Sequence, residues 1–270
     1  MKQNRKSKKR GFKLSFAMLV IPVALVVAII VFKFIMGNPA NFQGNNPENA
    51  ALPGNYYGIV YKGGLIVPIL MTLLLIVFTF IIERLIAIGK GTGKGDVTEF
   101  VQDVKAMLDK NDIEGAKLAC DEQKGSVANV VRSVLIKYQQ LEKDTTLVKD
   151  QKLSALQQEV EEATSLELPA LEQNLVILAT ITSLGTLMGL LGTVLGMIRA
   201  FGALANAGAP DSVALAEGIS EALVNTAFGI GTAAVALIFY NVFTTRIDKL
   251  TYSIDEAGFS LVQSYAANHV

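Results

Sequence analysis

The chain is poor in the residues that do chemistry: among 270 residues there is one cysteine, Cys120, and one histidine, His269, the latter beside the C-terminus. A lone cysteine cannot close an intramolecular disulfide, and Cys120 reads as a reduced, structural thiol in a helix. With one histidine there is no His/Cys metal-ligand cluster, and no Ser-His-Asp or Cys-His arrangement is evident. The run Gly89-Lys90-Gly91-Thr92-Gly93-Lys94-Gly95 superficially resembles a phosphate loop, but no strand precedes it and the Gly-x-x-x-x-Gly-Lys-Ser/Thr spacing is missing. It reads as a flexible segment leaving a helix. Metal, cofactor and catalytic activity are therefore all unexpected, and nucleic acid is not an expected partner. There is no excess of either sign, with 24 basic and 24 acidic side chains.

Charge is also missing locally, and that absence decides the class. Leu14 to Phe32, Gly64 to Ile82, Leu175 to Ile198 and Ala222 to Thr245 contain no charged residue. Each reaches the roughly 20 residues needed to cross about 30 Å of hydrocarbon. With 51% hydrophobic residues and a mean hydropathy of +0.42, the chain is too apolar for an ordinary soluble domain. The sequence predicts an all-α, polytopic membrane protein with four transmembrane helices and a helical cytoplasmic domain, the third and fourth spans extending into the cytoplasm as long helices.

Orientation follows from the basic residues. Lys2, Arg5, Lys6, Lys8, Lys9, Arg10 and Lys13 precede the first span, whereas Ala203 to Gly218 has no Lys or Arg. The positive-inside rule then places the N-terminus in the cytoplasm. The expected order is a basic cytoplasmic N-terminus (1–13), a first span (14–36), a periplasmic linker rich in Asn, Pro and Gly (37–62) and a second span (63–88). A cytoplasmic helical domain (89–170), a third span (171–204), a short periplasmic turn (205–217), a fourth span (218–245) and a cytoplasmic C-terminal helix (246–270) complete it. A basic start before an apolar run also fits a secretory signal, but Lys33, Phe34, Ile35 and Met36 lack the small-x-small cleavage pattern, so an uncleaved anchor is expected.

In the soluble part, Val97, Phe100, Val101, Val104, Met107 and Leu108 recur at helical spacing. A short helix from about Asp112, punctuated by Gly125, and a longer one through Val127, Val130, Val131, Val134, Leu135 and Tyr138 follow. From Leu153 to Ile198 nearly continuous helix is expected, with Pro169 as the marked place for a kink. In the tail, Ile247, Leu250, Ile254, Leu261 and Tyr265 form an apolar stripe expected to dock on the same helical layer.

Polar residues within the spans carry the functional signal, because lipid offers a hydroxyl or carboxylate no partner. Thr182, Thr186, Gly189, Thr193 and Gly196 fall along one side of the third span, and Gly185, Gly189, Gly192 and Gly196 have the small-xxx-small spacing that admits a second backbone. Helix packing alone is the plain alternative. In the fourth span, Pro210-Asp211-Ser212 marks a helix start and puts Glu221 two turns or more inside it, facing a lumen or a polar neighbour, with an interfacial acid sitting among the headgroups as the plain alternative. Asn225 and Thr232 share the face of Glu221, whereas Thr226 is turned from it by about 140°. Lys33, Glu83, Arg84 and Arg199 lie near span ends, where snorkelling to the interface is the plain reading.

Gly189-Leu190-Leu191-Gly192-Thr193-Val194-Leu195-Gly196, followed by Ile219-Ser220-Glu221-Ala222-Leu223-Val224-Asn225-Thr226-Ala227-Phe228-Gly229, resembles the core of the MotA/TolQ/ExbB proton-channel family, with ExbB nearest in character. The resemblance extends over about Gly63 to Tyr252 and includes Asp112-Ile113-Glu114-Gly115-Ala116. It implies a homopentamer in the Gram-negative inner membrane around a single-span partner similar to ExbD or TolR, which bears a membrane aspartate. A transducer resembling TonB or TolA would receive the force. Thr193 and Thr226 match the family's pore-lining threonines and Glu221 its intramembrane glutamate. The span at Leu14 to Phe32 is an addition to the family's usual three. Since Glu221 is the one carboxylate well inside the last two spans, a second protonatable group is needed to carry protons across. A TolQ-like envelope motor, a motility stator and a non-conducting scaffold are the alternatives. A secondary transporter would show two matched halves with broken spans, which the sequence lacks.

Overall fold

The computed structural model describes residues 16–205 and 211–268. The basic segment 1–13, the first residues of the first span, the tip of the 205–217 turn and His269 lie outside the described residues. Those described are overwhelmingly helical, with no strand among them beyond one isolated bridge between Phe42 and Ala51. The helices are α1 (Phe16–Ile30), continued by a π-helical turn (Val31–Met36), α2 (Tyr56–Tyr61), α3 (Ile66–Thr92), α4 (Val97–Asp109) and α5 (Ile113–Gln123). After them come α6 (Gly125–Lys143), α7 (Lys149–Glu172), α8 (Leu175–Ala205) and α9 (Ser212–Asn268). Four of the helices, those containing the four charge-free runs, are long and apolar enough to cross a membrane. They expose large apolar side chains such as Ile29, Ile82, Leu187, Leu190, Ile230 and Ile238. A protein bathed in water rarely leaves such a surface uncovered.

The chain divides into two compact units, one of residues 1–79 and 181–234, the other of 80–180 and 235–270. In the first, Ala28 of α1 is fully buried against Val67 and Met71 of α3, with Val31, Phe32, Met36, Val60, Val224 and Phe228 packed around them. The segment 37–62, expected to be a linker, is folded. Asn41 Nδ2 donates to Ile35 O at 2.8 Å and to Met36 O at 2.9 Å, and Asn55 Nδ2 donates to Asn41 Oδ1 at 3.0 Å. Tyr61 stacks on Phe32 at 4.7 Å and meets Phe42 edge-on at 5.4 Å. These side-chain amides satisfy the backbone groups that a sequence rich in Asn, Pro and Gly leaves unpaired.

The second unit is a helical layer built as the apolar periodicity requires. Asp96 caps α4 by accepting from Thr98 N at 2.7 Å, which holds its carboxyl below the usual carboxylate range. Asp112 caps α5 through Gly115 N at 2.9 Å. Val104, Leu108, Ala116, Val134, Leu135 and Tyr138 form the buried interior. The tail stripe joins it: Ile247, Leu250, Ile254, Leu261 and Tyr265 are buried, Tyr265 packs edge-on to Tyr138 at 4.7 Å, and Ser264 Oγ lies 3.4 Å from Leu108 O. The tail is continuous with the fourth span in the 57-residue α9. Of the Gly89–Gly95 run, the first four residues are the end of α3 and the last three form the turn that leaves it. Gly93 and Gly125 have positive φ and pack backbone to backbone, and Lys94 N donates to Gln123 O at 2.7 Å.

Two expectations change here. The helix entering the third span breaks at Gln173–Asn174 and runs straight through Pro169. Asn174 takes a φ of 64°, a left-handed conformation that asparagine tolerates better than most residues. Arg84 does not snorkel. It is buried, its Nη1 donates to Leu171 O at 3.0 Å and to Ala170 O at 3.5 Å, and Glu83 pairs with its Nη2 and Nε. The guanidinium thus supplies donors to the carbonyls that the last turn of α7 leaves open.

Candidate functional site

α8 and α9 meet along a seam of small residues. A Cβ at Gly189 would lie 3.1 Å from Gly229 Cα, and one at Gly196 would lie 2.7 Å from Ala222 N. The four-residue glycine spacing on α8 therefore serves close backbone contact, as small-xxx-small stripes do in lipid. The threonine stripe runs along the flank of this seam. Thr186 is exposed, with its hydroxyl 3.3 Å from Thr182 O, and Thr182 and Thr193 are half-buried.

At the centre of the seam the hydroxyls of Thr193 and Thr226 hydrogen-bond to each other, and either can be the donor. Each also has a helix carbonyl in reach: Thr193 Oγ1 lies 3.2 Å from Gly189 O and 3.4 Å from Ala222 O, and Thr226 Oγ1 lies 3.1 Å from Ala222 O. One hydroxyl can donate to its neighbour while the neighbour donates to the backbone, and the direction can reverse. Both side chains keep part of their surface open. Such a pair can accept and donate to water or to a hydrated ion without carrying a charge of its own.

Five residues before Thr226, Glu221 turns away from the hydroxyl pair. Its side chain is 8% exposed, and Arg199 Nη1 lies 2.7 Å from both carboxylate oxygens. The antiparallel register that sets Thr193 beside Thr226 also brings Arg199, six residues later on α8, beside Glu221. The two-glycine turn before α3 closes over the pair. Gly64 has a φ of 76°, and a Cβ there would collide with Glu221 Oε1 and lie 3.3 Å from Arg199 Nη1. One turn further along α9, Asn225 is fully buried, packs on Gly192 and donates from Nδ2 to Gly63 O at 2.9 Å. Thr232 is buried on the same face. The acid, the amide and this hydroxyl thus share one α9 face, and all three are buried inside the unit, whereas Thr226 looks across the seam.

The structure therefore brings Thr193 to Thr226 and separates both from Glu221. Sequence reading missed Arg199 as the partner of Glu221 and missed the Lys62–Glu217 pair, 3.2 Å apart, one helical turn before Glu221 on α9. No signal on a single helix finds either. Pairing Thr193 with Thr226 fixes the antiparallel register, and that register identifies Arg199. Among the described residues no group of three or more His, Cys, Asp or Glu side chains converges in a way that holds a metal ion.

Residues 127–256 match the MotA/TolQ/ExbB proton channel family. An ExbB-like 3 biopolymer transport protein of Synechocystis is 42% identical over 86 residues, 31% of this chain and 41% of the relative. The Tol-Pal system protein TolQ of Haemophilus influenzae is 38% identical over 84 residues, 31% of this chain and 37% of the relative. The biopolymer transport protein ExbB of Salmonella typhimurium is 39% identical over 89 residues, 32% of this chain and 36% of the relative. The chain thus spans about two fifths of the length of the curated relatives it matches. The segment that carries α8, Thr193, Glu221 and Thr226, residues 127–256, is thus similar to the MotA/TolQ/ExbB proton channel family.

Proposed function

We propose that this chain is the proton-channel subunit of an inner-membrane motor that uses the proton motive force to energise outer-membrane transport. The observation that carries the reading is the Thr193–Thr226 hydroxyl pair, set across a glycine-packed seam between two charge-free spans within the segment that matches the family. Thr193, Thr226 and Glu221 are the ion-pathway residues. Thr182 and Thr186 extend the polar lining, and Gly189, Gly192, Gly196, Asn225 and Thr232 hold the helices that carry it. Both termini face the cytoplasm.

The two hydroxyls and one paired carboxylate do not make a complete path across the bilayer. A homopentamer enclosing a single-span partner of the ExbD or TolR kind, with a membrane aspartate, supplies the missing protonatable group. Each charge that crosses 100 mV gains about 2.3 kcal/mol, which drives movement of one subunit against the other. A periplasm-spanning transducer of the TonB or TolA kind takes up that movement. TolQ among the relatives favours one second reading, an envelope-constriction motor built on the same channel.

Thr193→Ala and Glu221→Gln are expected to preserve the oligomer while abolishing proton-dependent uptake or envelope function. Unchanged function in both variants, at normal expression, sinks the channel reading. Native mass measurement of the purified complex tests the pentamer, and a stable monomer in mild detergent counts against it.

A further inference from the structure

Arg199 ends the charge-free run of the third span and has no part in the hydroxyl pair, yet among the described residues it makes the shorter of the two ion pairs in its unit. Its Nη1 reaches both oxygens of Glu221 at 2.7 Å, and its own side chain stays 55% exposed while that of Glu221 is 8% exposed. The acid is thus screened from its surroundings by the base. The contact is completed from behind by Gly64, where any side chain would strike the carboxylate, and the next turn is tied down by Asn225 on Gly63 O. Lys62, just before the glycine turn, and Glu217, one helical turn before Glu221, form a separate ion pair at 3.2 Å. Among the described residues the ion-pair partner of Glu221 is Arg199, which reaches it from α8.

We propose that Arg199 is the positioning residue for Glu221: it holds the carboxylate against the Gly63–Gly64 turn, so that the pathway meets a compensated ion pair beside the Thr193–Thr226 hydroxyls and not a free acid. The inference rests on the channel reading given above. A buried carboxylate that loses its partner is left with an uncompensated charge, so it must move or take up a new neighbour. One nitrogen makes both contacts, so an ammonium can reproduce them although it lacks the guanidinium fork. Lysine at 199 is therefore expected to substitute where glutamine is not.

The test uses the complex purified with its partner and reconstituted in liposomes, with ion flux and native mass measured on the same samples. Arg199→Gln is expected to lower flux on the order of tenfold or more at unchanged oligomer mass, and Arg199→Lys to restore it to within about threefold of wild type. In detergent, Arg199→Gln and Glu221→Gln are each expected to lower the thermal midpoint, and the double variant to lower it by clearly less than the two together, since it leaves no unpaired charge. The thermal cycle reads the pair even where a single variant fails to assemble. Wild-type flux in Arg199→Gln, loss in Arg199→Lys equal to that in Arg199→Gln, or strictly additive midpoints would each overturn the positioning role while leaving the channel intact. A wild-type complex that conducts nothing overturns the channel reading itself, and this inference with it.

Discussion

Gly229→Ala tests the helix seam where backbone packs on backbone. A Cβ at position 229 would lie 2.6 Å from Gly185 O and 2.7 Å from Gly189 Cα, about 0.7 Å inside the 3.4 Å at which ordinary contact begins. Both obstacles are backbone, so neither can swing aside, and α8 and α9 must separate. Overpacking of this kind costs roughly 1–3 kcal/mol. Separation also stretches the Thr193–Thr226 hydrogen bond, a further ~1 kcal/mol. Alanine is the better helix former by about 1 kcal/mol, which offsets part of the loss and leaves a net destabilisation near 2 kcal/mol. Gly231 is the matched control: it lies two residues further along the same helix, and a Cβ there meets nothing within 4 Å. Gly231→Ala is thus expected to be neutral or slightly stabilising. Far-UV circular dichroism melts in one detergent should separate the two variants by roughly 5–10 °C, with Gly229→Ala lower. If Gly229→Ala melts with Gly231→Ala or above it, the close-packed seam is wrong.

Other perturbations probe the second unit. Arg84→Gln is expected to cost about 2 kcal/mol, because the Leu171 and Ala170 carbonyls at the end of α7 lose their charged donor. Hydrogen exchange in the last turn of α7 should speed up in that variant and not in Lys137→Gln. Burial pushes the Cys120 thiol up to about 12 from its ordinary 9.0, so the folded chain should resist alkylation at pH 8 and label readily once unfolded. Because the folded thiol holds its proton more tightly than the unfolded one, its contribution to stability is complete below about pH 9 and is lost as pH rises toward 12. A melting midpoint that Cys120→Ala leaves equally sensitive to pH across that window contradicts the assignment.

The four spans were legible because absence of charge over 20 residues is a property of the chain itself. The caps at Asp96 and Asp112 and the α9 start at Asp211, which accepts from Ala214 N at 3.0 Å, are local and equally readable. The grouping of Glu221, Asn225 and Thr232 on one face follows from helical period alone. What that face touches does not. Arg199 pairs with Glu221 across 22 residues and Arg84 reaches Leu171 across 87, and only tertiary packing brings either pair together. Pro169 drew attention as a breaker, but Asn174 with its positive φ carries the break. The 37–62 segment looked like a tether because its asparagines usually mark loops, and here Asn41 and Asn55 stitch it into a folded element.

The central claim is that ions pass the α8–α9 seam beside Thr193 and Thr226. Its most direct test is proton flux into liposomes carrying the chain together with the single-span partner proposed for it, under an imposed pH gradient and membrane potential. Thr193→Val and Thr226→Val keep the shape of threonine and remove the hydroxyl, so the account expects intact oligomers with flux reduced at least about tenfold in each. Flux equal to wild type in both variants would contradict it.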